Sequence, residues 1–223
     1  MAGTRIITFQ MNQNRVEALK DARVRKAIDY AVNNAGIVDR IMRGFGTVGA
    51  QASPAGYLGH DPALTPRFDV EKAKALMAEA GYAEGFEITM MAPNNRYVND
   101  DKIAQAVASM LSKINIKVDL QTMPKAQYWP KFDERAADLM MIGWHADTED
   151  SANFHQFLSA CPDAETGNGQ YNSGAYCNAE ADALMNASNT ETDAAKRAEM
   201  LQKLEGILYE EAAFIPLHWQ NLA

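Results

Sequence analysis

Between residues 86 and 144 the hydrophobic period switches repeatedly between that of a strand and that of a helix, and few architectures accommodate such a pattern. Residues 86–92 read as a strand. Residues 100–114 carry a helical stripe of Ile103, Ala106, Val107, Met110 and Leu111, and residues 116–123 alternate as a second strand closed by Pro124. A short aromatic helix with Tyr128, Trp129 and Phe132 then leads to a third strand over 138–144. Strands separated by helices of this length imply a parallel core with right-handed crossovers. The C-terminal ends of the three strands then share one edge, and in open α/β sheets the ligand crevice lies outside those ends. Attention therefore falls on the residues just after 92, 123 and 144.

The flanking sequence adds further elements. Residues 4–10 read as a strand, and Asp21 opens a helix striped by Val24, Ala27, Ile28, Ala31 and Val32. The helical pattern restarts at Asn34 with Ile37, Val38, Ile41 and Met42, and ends at Gly44 and Gly46. Residues 45–68 hold four Gly, three Pro and no helical period, which predicts an irregular surface excursion. Asp69 is an N-cap for a helix carrying Val70, Ala73, Leu76, Met77 and Ala80, with Gly81 at its exit. Helices are expected over 179–188 and 193–211, followed by a closing strand over 214–219 with Pro216 at an edge or bend.

Bulk properties exclude several functions. A formal net charge of −8, from 29 acidic and 21 basic side chains with no basic stripe, argues against nucleic acid. No apolar stretch approaches the roughly 20 residues of a membrane helix, so the chain is expected not to span a bilayer. The opening Met1-Ala2-Gly3-Thr4-Arg5 leads straight into Ile6-Ile7-Thr8-Phe9, too short for the apolar region of a secretory leader, so no secretion signal is expected in this sequence. Cys161 and Cys177 lie in a stretch rich in Gly, Asn and Ser. A disulfide between them fits an oxidising compartment, and two unrelated thiols are the alternative.

Arg96 follows the first strand of the parallel core and Asp147 follows the third. A guanidinium forks onto a carboxylate and an aspartate accepts from an ammonium, so together they suit a zwitterion such as a free peptide; alone, each reads as a solvated loop charge. Trp144 closes the third strand, where it can pack along an extended ligand and donate its indole N–H, or pack in the core. Tyr97, Tyr128 and Trp129 are further candidates for the crevice, although Trp129 and Phe132 equally suit a buried helix face. His60, His145, His155 and His218 show no metal-ligand spacing, and His145 and His155 read as polar loop residues. No cofactor or metal is expected. No nucleophile elbow, phosphate loop or dinucleotide fingerprint occurs, and a Cys161, His145 and Asp147 thiol-protease arrangement competes with the disulfide for Cys161.

Several segments together resemble the solute-binding proteins of peptide-type ABC importers, the group with dipeptide-, oligopeptide- and nickel-binding members. Residues 21–33 (DARVRKAIDYAVN) resemble the family's D-x-R-V-R-x-A-I-x-x-A-I-D helix, and residues 69–82 (DVEKAKALMAEAGY) its D-x-x-K-A-K-x-L-L-x-E-A-G-Y helix. Gly85-Phe86, Gly143-Trp144 with Asp147, the Tyr171-Asn172-Ser173 to Asp182 stretch and Ile215-Pro216-Leu217 follow in the family's order. The resemblance implies an α/β lobe of a two-lobed, type II periplasmic-binding-protein-like fold, with a parallel or mixed sheet flanked by helices. Residues 1–223 would then be a single ligand-binding lobe, most of the C-terminal lobe of a longer protein whose other lobe is absent.

By the same resemblance, Arg96 holds a ligand carboxylate, Trp144 forms an aromatic wall and Asp147 takes the α-amino group, while Tyr97 matches a ligand-contacting tyrosine only after a shift of register. Two positions depart from the pattern: Ser151 follows Asp150 where Asp-Pro is usual, and Ala213 replaces a common Pro. The implied function is capture of short peptides for delivery to ABC permease subunits, in the periplasm or in a membrane-associated extracellular setting. Rival readings keep the fold and change the ligand to a metal chelate, haem, sugar or opine, or make the chain a hydrolase or an interaction domain with a vestigial cleft.

Overall fold

The computed structural model describes residues 3–145, 148 and 150–221. Its centre is a six-stranded mixed sheet in the order β2-β6-β1-β5-β3-β4. The strands are β1 (Arg5–Met11), β2 (Gly46–Val48), β3 (Phe86–Pro93), β4 (Ile116–Met123), β5 (Leu139–His145) and β6 (Phe214–Gln220). The expected parallel core is present: β3 pairs in parallel with both β4 and β5, so these three strands point the same way. β1 runs antiparallel between β5 and β6, and β2 is antiparallel to β6.

Side-chain alternation along the strands sorts the interior into two layers. Ile7, Phe9, Met11, Leu139 and Met141 face a cluster with Val24 and Ile28 of α1 (Ala22–Ala31), Met77 of α3 (Val70–Glu79) and Val107 of α4 (Asp100–Leu111). Ile6, Met140 and Ile142 face the opposite cluster, with Tyr128 and Phe132 of α5 (Lys125–Asp133), Met185 of α7 (Ala179–Thr190) and Leu204 of α8 (Ala194–Glu211). Burial on both faces explains why β5 reads as an unbroken apolar run. Asp21 and Asp69 start their helices as the sequence indicated, accepting from the N–H of Arg23 and of Lys72, and Asp193 caps a third helix by accepting from Ala195 and Lys196. Each such cap contributes about 1 kcal/mol. The pattern restarted at Asn34 is a short helix, α2 (Asn34–Gly36), that widens into a π-type turn over Ile37–Ile41.

Two expectations change. The 45–68 segment is not simply a surface excursion, because it contributes β2 to the sheet and then buries residues 49–53. A carboxylate on α8 contributes to this: Glu205 accepts from the backbone N–H of Ala52 at 3.0 Å and Ser53 at 2.9 Å, giving buried donors the partner they need. The edge-or-bend expectation for Pro216 narrows to the second alternative: it lies in an inner strand, where the β1–β6 register slips between Ile7 and Thr8. Its carbonyl accepts from Asn34 Nδ2 at 2.6 Å.

Candidate ligand-binding edge

The C-terminal ends of β3 and β5 bring Arg96, Tyr97, Gly143 and Trp144 together, as the topology required. The turn after β3 is fixed by Asp100 in the first turn of α4. Its buried carboxylate accepts from the N–H of Arg96 at 2.8 Å and of Tyr97 at 2.9 Å, a role the sequence alone did not reveal. Arg96 is exposed, has no ion pair among the described residues, and lies 5.0 Å above the Tyr97 ring centroid.

Tyr97 is only 7% exposed and acts mainly across the sheet. The regular β3–β5 pairing stops at Met91 and Met140, and further along β5 the Tyr97 hydroxyl accepts from the Gly143 N–H at 2.8 Å. Burial raises the pKa of Tyr97, so the hydroxyl stays neutral. A side chain at position 143 has no room, since a Cβ would stand 2.5 Å from Ile7 Cδ1 and 2.7 Å from Tyr97 Cε1. The glycine before the tryptophan therefore permits the close approach of Tyr97 to the strand.

Trp144 forms an aromatic group with Phe157 and Tyr171, at centroid distances of 5.4 and 5.5 Å. Its indole N–H is already used, donating to Asn153 Oδ1 at 2.7 Å. The expectation that it would serve a ligand is thereby corrected, and the half-buried ring offers carbon surface instead. Tyr128 leaves the crevice altogether: it is fully buried and its hydroxyl donates to the Met141 carbonyl at 2.6 Å, while Trp129 packs edge-on against Tyr128 and Phe132. Asp147 lies outside the described residues. The loop beyond it is anchored at Asp150, whose Oδ2 accepts from Arg197 Nη2 at 2.8 Å and Nε at 3.1 Å, and whose Oδ1 accepts from the Ala152 N–H at 3.0 Å.

Cys161 and Cys177 form a disulfide, which removes the thiol nucleophile that a protease reading needs. The Asp182 carboxylate accepts from the Cys161 N–H at 3.2 Å, but with both sulfurs bonded to each other this group offers no thiolate to a metal. His155 is not a polar loop residue. It sits 1% exposed in a helical turn, with Nε2 3.3 Å from Glu205 Oε1, because the carboxylate that anchors residues 52–53 also needs its second face covered. His145 ends β5 at the candidate edge, paired in register with Arg5.

The candidate edge thus offers an exposed guanidinium with no ion pair among the described residues and an aromatic group, both at the C-terminal ends of the parallel strands. The chain belongs to the bacterial extracellular solute-binding proteins, family 5, whose middle region matches residues 1–166. Di/tripeptide-binding protein 1 of Pseudomonas aeruginosa is 34% identical over 87% of this chain, which spans 36% of that relative's length. The structure of HbpA2 from Haemophilus parasuis superposes with a TM-score of 0.90 at 27% identity, covering 99% of this chain and 43% of that one. A dipeptide-binding protein from Pseudoalteromonas sp. SM9913, solved with Met-Leu, gives 0.87 at 25% identity over 97% of this chain and 43% of its own. Other similar chains are named for haem or were solved with agropinic acid. The relatives are binding proteins and not enzymes. No described helix is long and apolar enough to cross a membrane.

Proposed function

We propose that this chain is one lobe of a longer, two-lobed substrate-binding component of an ABC importer, and that its ligand is a short peptide held by its charged termini. The observation that carries the reading is Arg96. It is an exposed guanidinium without an ion pair among the described residues, on a turn held rigid by Asp100, at the sheet edge where ligands collect. Such a group suits a peptide carboxylate, and preorganisation by Asp100 lowers the entropy lost on binding. Asp147 is assigned the α-amino group and Trp144 the intervening peptide surface. The naming of the 34% identical P. aeruginosa relative and the Met-Leu complex of a 25% identical protein support a peptide. Delivery to permease subunits follows closure of the two lobes. The disulfide is consistent with a periplasmic site of action.

The test is calorimetry on the longer parent protein with a free dipeptide and its C-terminally amidated form. Arg96→Ala should weaken the free peptide by roughly 30-fold or more, as expected when a desolvated charge loses its partner, and should barely change the amidated one. Equal losses for both would remove the carboxylate role from Arg96.

A further inference from the structure

We propose that Asn153 is a positioning residue for ligand recognition, holding the Trp144 indole by its N–H so that the wall presents only carbon surface. The geometry is specific. Trp144 sits at the open end of β5, and its ring is bounded by Phe157 from the turn His155–Ser159 and by Tyr171 from the segment closed by the disulfide. These two walls are tied together by the Tyr171 N–H donating to the Phe157 carbonyl at 2.9 Å. Against them the ring retains one polar atom, and Asn153 Oδ1 accepts from it at 2.7 Å.

Asn153 is itself held in place. It lies in α6 (Ala152–Phe154) between two buried residues, and the N–H of Ala152 is fixed by the Asp150 carboxylate that Arg197 grips. The amide therefore reaches the indole from a rigid turn, and the indole cannot rotate without leaving a half-buried donor unpaired. The ligand group that meets this wall is consequently an apolar side chain or the flat face of a peptide unit, and not a hydrogen-bond acceptor.

This inference deepens the peptide reading and rests on it, so the experiment separates the two. In the 15N-labelled parent protein, Trp144→Phe assigns the Trp144 resonance among the indole N–H signals. Asn153→Ala should speed solvent exchange of that proton, and Asn153→Asp, which keeps an acceptor, should not. By calorimetry, Asn153→Ala should weaken dipeptide binding roughly tenfold, Asn153→Asp should restore most of it, and Asn153→Ala in the Trp144→Phe background should cost less than about twofold. Unchanged indole exchange in Asn153→Ala overturns the inference. So does an equal loss of affinity in both backgrounds, or an Asn153→Asp variant as weak as Asn153→Ala. A parent that binds no peptide removes the peptide reading, and the exchange of the indole proton still decides whether Asn153 holds the ring.

Discussion

His218 shows how one side chain sets a response of the whole fold. It lies on β6 between Ile7 of β1 and Val48 of β2, fully buried, with neither ring nitrogen partnered among the described residues. Loss of solvation pulls its pKa down from 6.5 to about 4. The unfolded chain takes up a proton near pH 6.5 and the folded chain only near 4, so acidification through that window favours unfolding, by up to about 3 kcal/mol at its lower end. Urea unfolding at pH 7 and pH 4.5 should therefore show a smaller acid loss for His218→Leu than for the wild type, and the same loss in both would contradict the assignment. The sequence places His218 on a strand and His60 in an irregular segment, but it does not show that His218 is unpartnered, because that isolation comes from the strands on either side. The same holds at the candidate site: Arg96 was found by its place after a strand, whereas the acceptor for the Trp144 indole, nine residues away across a loop, follows no periodicity.

At the scale of elements, legibility followed the hydrophobic period. The helices at 22–31, 70–79, 100–111 and 194–211 and the parallel strands came within a few residues of their observed bounds, since each carries its own stripe and caps. The 45–68 segment did not, because its order depends on Glu205, some 150 residues downstream, whose carboxylate meets the N–H groups of Ala52 and Ser53 and approaches His155. Removing that acceptor strands two buried donors. Glu205→Ala should lower the unfolding free energy by about 2–4 kcal/mol in denaturant titrations, and Glu205→Gln, which retains one acceptor, by less. An unchanged midpoint for Glu205→Ala would mean that residues 49–53 are held by something else. Tyr97 makes a related point: beside the crevice role the sequence suggested, its hydroxyl bonds to β5, where it extends the β3–β5 contact beyond the regular ladder.

At the scale of the molecule, the chain under the proposed reading is one wall of a cleft. Its sheet presents Arg96 and Trp144 at a single edge, and it spans 36% of the length of the curated relatives it matches first. A ligand on one lobe keeps much of its surface in water, so under that reading closure by a second lobe turns the edge into a site. The most direct measurement is calorimetric titration of the longer parent and of this 223-residue chain with free di- and tripeptides, beside haem, an opine and a nickel–histidine chelate. The parent should bind the peptides in preference to the other ligands, and the chain alone should bind them at least about tenfold more weakly. A folded parent that ignores every free peptide and takes up one of the other ligands would contradict the account.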